Sequence, residues 1–312
     1  MTTLESAALT TAELSVLTTV QIAAFETEDL AALQTNGIRM LSTVQMRALS
    51  TVQLSALGTQ QVASLGTTVL RSLSAAQIAS LTTAQVAGFT TTQIASLSTS
   101  NVSAFTASQV AALETRDLAL FSTANLQALG TSQMAALTTA QVVALSTTQA
   151  ATLGTATLAA LTTAQLAVME VADLAVISSN SLRALGAAQI AVLSTVQFAA
   201  LGSHQLTGLS TTLVSALTTA QIIALSTRQA SSLSSSNMSA LTTAQLVAME
   251  LADLAVVSSS SLNGLSAAQM AALTTVQIAA MGSSQLVGLG TTQMSALTTL
   301  QVIGLSTSQA SS

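Results

Sequence analysis

The sequence contains no cysteine, proline, tryptophan, tyrosine or lysine, and only 2% of it is aromatic and 5% charged. Without cysteine there are no disulfides, no thiol chemistry and no cysteine-ligated zinc, and the redox compartment stays open. Globular chains are about 25% charged, so a 5% share sets this one apart from an ordinary soluble enzyme. Six basic residues, all arginine, against eleven acids give a net charge of −5. Such a surface has little with which to neutralise phosphates, and nucleic acid is not expected as a partner. Long apolar runs are missing as well. Mean hydropathy is +0.67, yet Ser, Thr or Gln interrupts the chain every few positions, and the most apolar stretch, 166–177, carries Glu170 and Asp173. A membrane-spanning helix needs about 20 mostly apolar residues, so none is expected. The opening MTTLESAALTTAEL has no basic segment, and a conventional signal peptide is not expected either.

What the sequence does have is a period. Its 312 residues are 39 times eight, and every eighth residue from Met1 (Leu9, Leu17, Phe25 and on to Leu297 and Leu305) is large and apolar without a slip. Twenty-nine of these 39 sites are Leu. The consensus octad is L-[ST]-T-x-Q-[ILVM]-x-A: position 2 is Ser or Thr in 26 octads and Gly in 8, position 3 is Thr in 28, and position 5 is Gln in 24. Ala replaces the larger residue of position 6 at Ala150, Ala230 and Ala310, 80 residues apart, and MEVADLAV at 169 aligns with MELADLAV at 249. The chain is therefore expected to be a single array of octads over 1–312, with an 80-residue higher-order repeat over about 81–312.

The period limits the local structure. In a continuous α-helix eight residues advance about 800°, so the leucine stripe would rotate by about 80° per octad and face no fixed partner. A β-solenoid is the alternative, because Thr and Ile favour strands, but large residues at positions 1 and 6 do not fall on one face of an alternating strand. A short helix fits better. Ser or Thr at position 2 with Gln at position 5 is the capping-box signature S/T-x-x-Q, which starts a helix over positions 3–8, and position 6 then shares a face with the next position 1. Every arginine lies at position 4 (Arg116, Arg228) or 7 (Arg39, Arg47, Arg71, Arg183), and His204 at position 4, which puts all of them on one outer face. The acids fall at positions 2 and 5, apart from Glu28, where a helix N-terminus favours negative charge. A single octad buries too little to order itself, so octads must stack, with small residues at position 8 allowing close approach. The expected fold is an all-α solenoid of short capped helices, one per octad.

Few residues offer chemistry. Four octads pair Glu at position 2 with Asp at position 5: Glu26/Asp29, Glu114/Asp117, Glu170/Asp173 and Glu250/Asp253. Two carboxylates three apart suit calcium or acid/base work. The plainer reading, preferred here, is that these acids replace the neutral cap residues and gain from the helix dipole. His204 has no Cys or second His with which to bind metal, and no nucleophile elbow or phosphate loop accompanies the serines. No catalytic, cofactor-binding or metal-binding residues, no cofactor and no enzymatic activity are expected. One Thr per octad at position 3 would form a regular hydroxyl and methyl ladder, like those of repeat-built ice-binding proteins. Position-5 Gln is expected to cap rather than to bond between rungs.

Octads such as LTTAQVVALST (137–147) and LTTAQIIALST (217–227) resemble the octapeptide arrays of large bacterial secreted and surface proteins. The resemblance covers essentially the whole chain and implies a structural or adhesin-like role, extracellular or at the cell surface. The same strings look like the first helix of transcription-activator-like effector repeats, but the spacing is eight and no proline or basic second helix follows, so DNA binding is not carried over. The expected function is structural: an extended rod, filament or surface layer, with self as the main partner. The alternative is a solenoid that binds ice or another regular surface through the Thr ladder.

Overall fold

Two extended residues alternate with one short helix along the chain. The computed structural model describes residues 3–311, which form 39 helices, from α1 (Thr3–Ala8) to α39 (Thr307–Ala310), one per octad and with no strand among the described residues. The β-solenoid alternative is thus not supported, and the all-α repeat fold is the one observed. Each helix begins at octad position 3. Most end at position 7 or 8, as in α6 (Thr43–Ala48) and α11 (Thr83–Ala87), and a few at position 6, as in α23 (Ser179–Leu182).

The local rules act as the octad predicts. At α6 the Ser42 hydroxyl accepts from the Gln45 amide at 3.2 Å, and the Gln45 side-chain carbonyl accepts from the Ser42 amide at 2.9 Å. This closes the capping box and satisfies two of the donors that a helix start leaves open. The helix stops where Leu49 turns extended, at φ −66° and ψ 136°, with its N–H donating to Met46 at 3.2 Å. Positions 1 and 2, both extended, swing the chain into the next helix.

The chain divides into two compact units, Met1–Thr152 and Leu153–Ser312. Within each, helices pack on the helix three octads away. In the first unit α3 (Thr19–Ala23) packs on α6, and α6 on α9 (Thr67–Ser72); in the second, α29 (Thr227–Ser231) packs on α32 (Leu251–Val256), and α32 on α35 (Thr275–Ala280). The cores are built as positions 6 and 1 foretell. Position-6 residues such as Ile78, Val110, Phe198 and Leu254 are fully buried, and position-1 residues such as Leu81, Phe89, Leu193 and Met249 nearly so.

The stack is closed by a second use of Gln. The Gln45 side-chain amide donates to the carbonyls of Leu14 and Leu17, both at 2.9 Å, 31 and 28 residues earlier. These carbonyls lie at the end of α2 (Thr11–Val16), where Leu14 already accepts from the Leu17 N–H at 3.3 Å and takes a second bond from Gln45, while Leu17 lies past the last turn. The same clamp recurs at Gln85, on Leu54 and Leu57 (3.0 and 2.6 Å), and in the second unit at Gln205, on Leu174 and Ile177 (3.0 and 2.6 Å). These three buried glutamines therefore each cap their own helix start through the oxygen and another helix's end through the nitrogen. Capping and inter-rung bonding, set against each other in the sequence reading, coexist in one side chain. The clamp bonds span 28 and 31 residues, so one turn takes more than three octads of eight and fewer than four.

Position 8 lies against position 3 of the octad three back. A Cβ on Gly88 would sit 3.6 Å from the Thr59 Cβ, one on Gly208 3.0 Å from the Ser179 Cβ, and one on Gly264 would run into the Ser235 backbone carbonyl. No glycine among the described residues has positive φ. Glycine is used here for room, not for conformational freedom.

Candidate functional site

The four Glu/Asp octads do not form the paired site that their spacing allows. Glu26, Glu114, Glu170 and Glu250 are the N-cap residues of α4 (Thr27–Ala32), α15 (Thr115–Ala119), α22 (Val171–Val176) and α32, and none makes a side-chain cap hydrogen bond. All four are exposed, whereas Asp29, Asp117, Asp173 and Asp253 are buried, at 3%, 0%, 1% and 1% exposure. One carboxylate faces solvent and the other the core, so the two do not converge on a common ligand. Among the described residues no group of three or more His, Cys, Asp or Glu is placed to hold a metal ion.

The buried aspartates also correct the expectation that position-5 acids gain from the helix dipole. That expectation holds at Glu13, whose carboxylate accepts from the Thr10 amide at 2.8 Å and the Thr10 hydroxyl at 2.7 Å, bonds that hold it below the usual carboxylate range. It fails at Asp117, Asp173 and Asp253. Both oxygens of Asp117 and of Asp173, and Oδ2 of Asp253, are buried with no hydrogen-bond partner. Burial raises Asp117, as does the nearby Glu114 carboxylate, against the opposing pull of the Glu114 backbone and of Arg116. Burial and then Glu170 raise Asp173, and burial and then Glu250 push Asp253 up to about 6. Desolvation exceeds the dipole because the helix is less than two turns long and the carboxylate is shut in the core. Arg116 pairs with the exposed partner, Nε lying 2.6 Å from Glu114 and 3.8 Å from Asp117 Oδ1.

The outer-face cations lie where the sequence puts them. All six arginines and His204 are exposed. Arg47 and Arg71, from the stacked helices α6 and α9, line an open groove of about 630 Å³ with Thr19, Thr43 and Thr68. His204 and Arg228, from α26 (Ser203–Thr207) and α29, line another of about 530 Å³ with Ser203 and Ser226. No carboxylate lines either groove. Position-3 threonines such as Thr51, Thr59, Thr83 and Thr91 are exposed, but successive ones belong to different helices around the turn. The sequence reading missed the long-range half of the Gln clamp and the burial of Asp at the same position. The available signal was the near-monotony of position 5, stronger than capping alone requires.

Comparison with known families places this geometry in context. A model described as the ALTTAQ repeat matches at residues 22–59, 30–67, 55–91, 110–147, 166–203 and 246–283, together more than half of the chain. No curated protein matches it.

Proposed function

The chain belongs to the ALTTAQ repeat family, and from that premise we propose that it is a structural protein without catalysis. It serves as an extended scaffold of octads that self-associates into rods, filaments or a layer outside the cell. The observation that carries this reading is the reuse of one device. The Gln clamp recurs through both units and takes up, in holding the backbone together, the polar side chains that another fold would aim at a ligand. Repeated units that bury one another and present a regular exterior are the economy of a scaffold. Electron microscopy of the purified chain tests it: uniform filaments with an axial repeat support the proposal, and particles that stay dispersed at every concentration overturn it.

The exposed position-3 threonines favour a second reading, binding to ice or another regular surface. Lysine placed at Thr59, Thr83 and Thr91 should abolish ice shaping by the protein if that reading holds, and ice shaping that survives the change rejects it.

A further inference from the structure

Asp117 and Asp253 occupy the octad position from which Gln donates to the preceding turn. On either side of Asp117, Gln109 bonds Leu81 at 2.6 Å and Gln133 bonds Phe105 at 2.7 Å, both 28 residues back. On either side of Asp253, Gln245 bonds Leu217 at 2.7 Å and Ser261 bonds Leu233 at 2.6 Å, again 28 back. The same register sets Asp117 against the carbonyl of Phe89 and Asp253 against that of Leu225. A carboxylate and a carbonyl both only accept, whereas a protonated carboxyl carries one donor. Short side chains span the gap elsewhere: Ser261 does so, and Asn125 donates to Leu97 at 3.0 Å.

We propose that Asp117 and Asp253 are protonated in the folded chain and donate to the carbonyls of Phe89 and Leu225, making pH-sensitive seams between turns that loosen as the protons leave. This goes beyond the scaffold reading and does not depend on self-association. The charged groups around each seam are few. Asp117 has Glu114 and Arg116 beside it, and the packed helices α12 (Thr91–Ser96) and α18 (Thr139–Val143) add none. Asp253 has Glu250 beside it, α29 contributes Arg228, and α35 contributes none. The direction follows from linkage. Asp253 is pushed up to about 6 in the folded chain from 3.8, so its contribution to stability is whole below the lower value. Stability falls as pH rises between the two and is lost in full above the upper. Two pH units correspond to about a hundredfold in the folded-to-unfolded ratio.

The test is the full-length double variant Asp117→Asn and Asp253→Asn, since an amide donates without needing a proton. Urea unfolding of each protein at pH 4, 5, 6 and 7 is the first readout. The parent should weaken across this range, with the larger share of the loss gone in the variant, which at pH 7 is the more stable. The second readout is infrared: the parent-minus-variant spectrum at pH 5 should contain a protonated-carboxyl stretch. A variant that keeps the parental pH dependence, fails to fold at pH 7, or yields no carboxyl band overturns the proposal.

Discussion

At the scale of the residue, position 5 shows how much one methylene decides. Gln reaches both the cap amide of its own helix and the carbonyls of the turn before. Asn, one carbon shorter, keeps only one of the two: Asn101 and Asn237 accept from the cap amides of Ser98 and Ser234 at 3.1 and 3.0 Å, while Asn125 keeps the bond to Leu97. Gln205, fully buried, bonds Gly202 at 2.6 Å as well as Leu174 and Ile177. Gln205→Ala should therefore leave the Gly202 amide and the Ile177 carbonyl unpaired, take from the Leu174 carbonyl one of its two bonds, and cost roughly 2–4 kcal/mol, with Gln205→Asn losing about half as much. Urea denaturation supplies both values. The glycines permit a contrast of the same kind. Gly264→Ala drives a methyl into the Ser235 carbonyl and should cost about 1–3 kcal/mol. Gly66→Ser has open space around it and adds a cap hydroxyl, so a gain of a few tenths of a kcal/mol is expected in the same assay.

At the scale of the element, the helices are too short to stand alone, and what fixes them is the phase of one octad against another. Removing a whole octad, 137–144, brings each later Gln to a carbonyl pair equivalent to the one it left. Removing half an octad, 137–140, slides every later Gln off its carbonyls across one full turn. Circular dichroism and hydrogen exchange should find the first deletion helical and protected, and the second frayed downstream. The parts legible in the sequence were those written within eight residues: the cap at Ser42 and Gln45, the stop at Leu49, and the shared face of Met46 and Leu49. Less legible was anything that depends on turn length. The partner of Gln45 lies 28–31 residues away, a distance set by how two extended residues aim each helix at the next, and no motif states that angle. Asp117 was misread for the same reason. As part of one helix it looks like an acid welcomed at an N-terminus; as part of a turn it is a carboxyl shut in the core without a hydrogen-bond partner.

At the scale of the molecule, charge is sparse and grouped. Residues 30–113 contain three arginines and no acid, and 254–312 contain no charged residue at all. Valines at exposed octad positions, among them Val44, Val52, Val196 and Val276, add apolar surface with little repulsion to offset it. Association driven by such a surface should hardly change between 50 and 500 mM sodium chloride, where charge screening is the main effect, and should rise in sodium sulfate, which strengthens apolar burial. Light scattering distinguishes this from charge-driven assembly, which salt would suppress.

The reach of the Gln clamp has one further consequence, for synthesis. Every clamp points backward along the chain, so the last carbonyl of a helix end, such as that of Leu57, is met by a side chain made 28 positions later. A nascent chain therefore carries one unfinished turn at its growing tip, and everything behind that tip is complete. Contacts never wait for a distant segment, which keeps contact order low for so long a chain and favours rapid, sequential folding. An array of this kind can lengthen by duplication without acquiring a slower path to its native state, because the tip meets the same task at every turn.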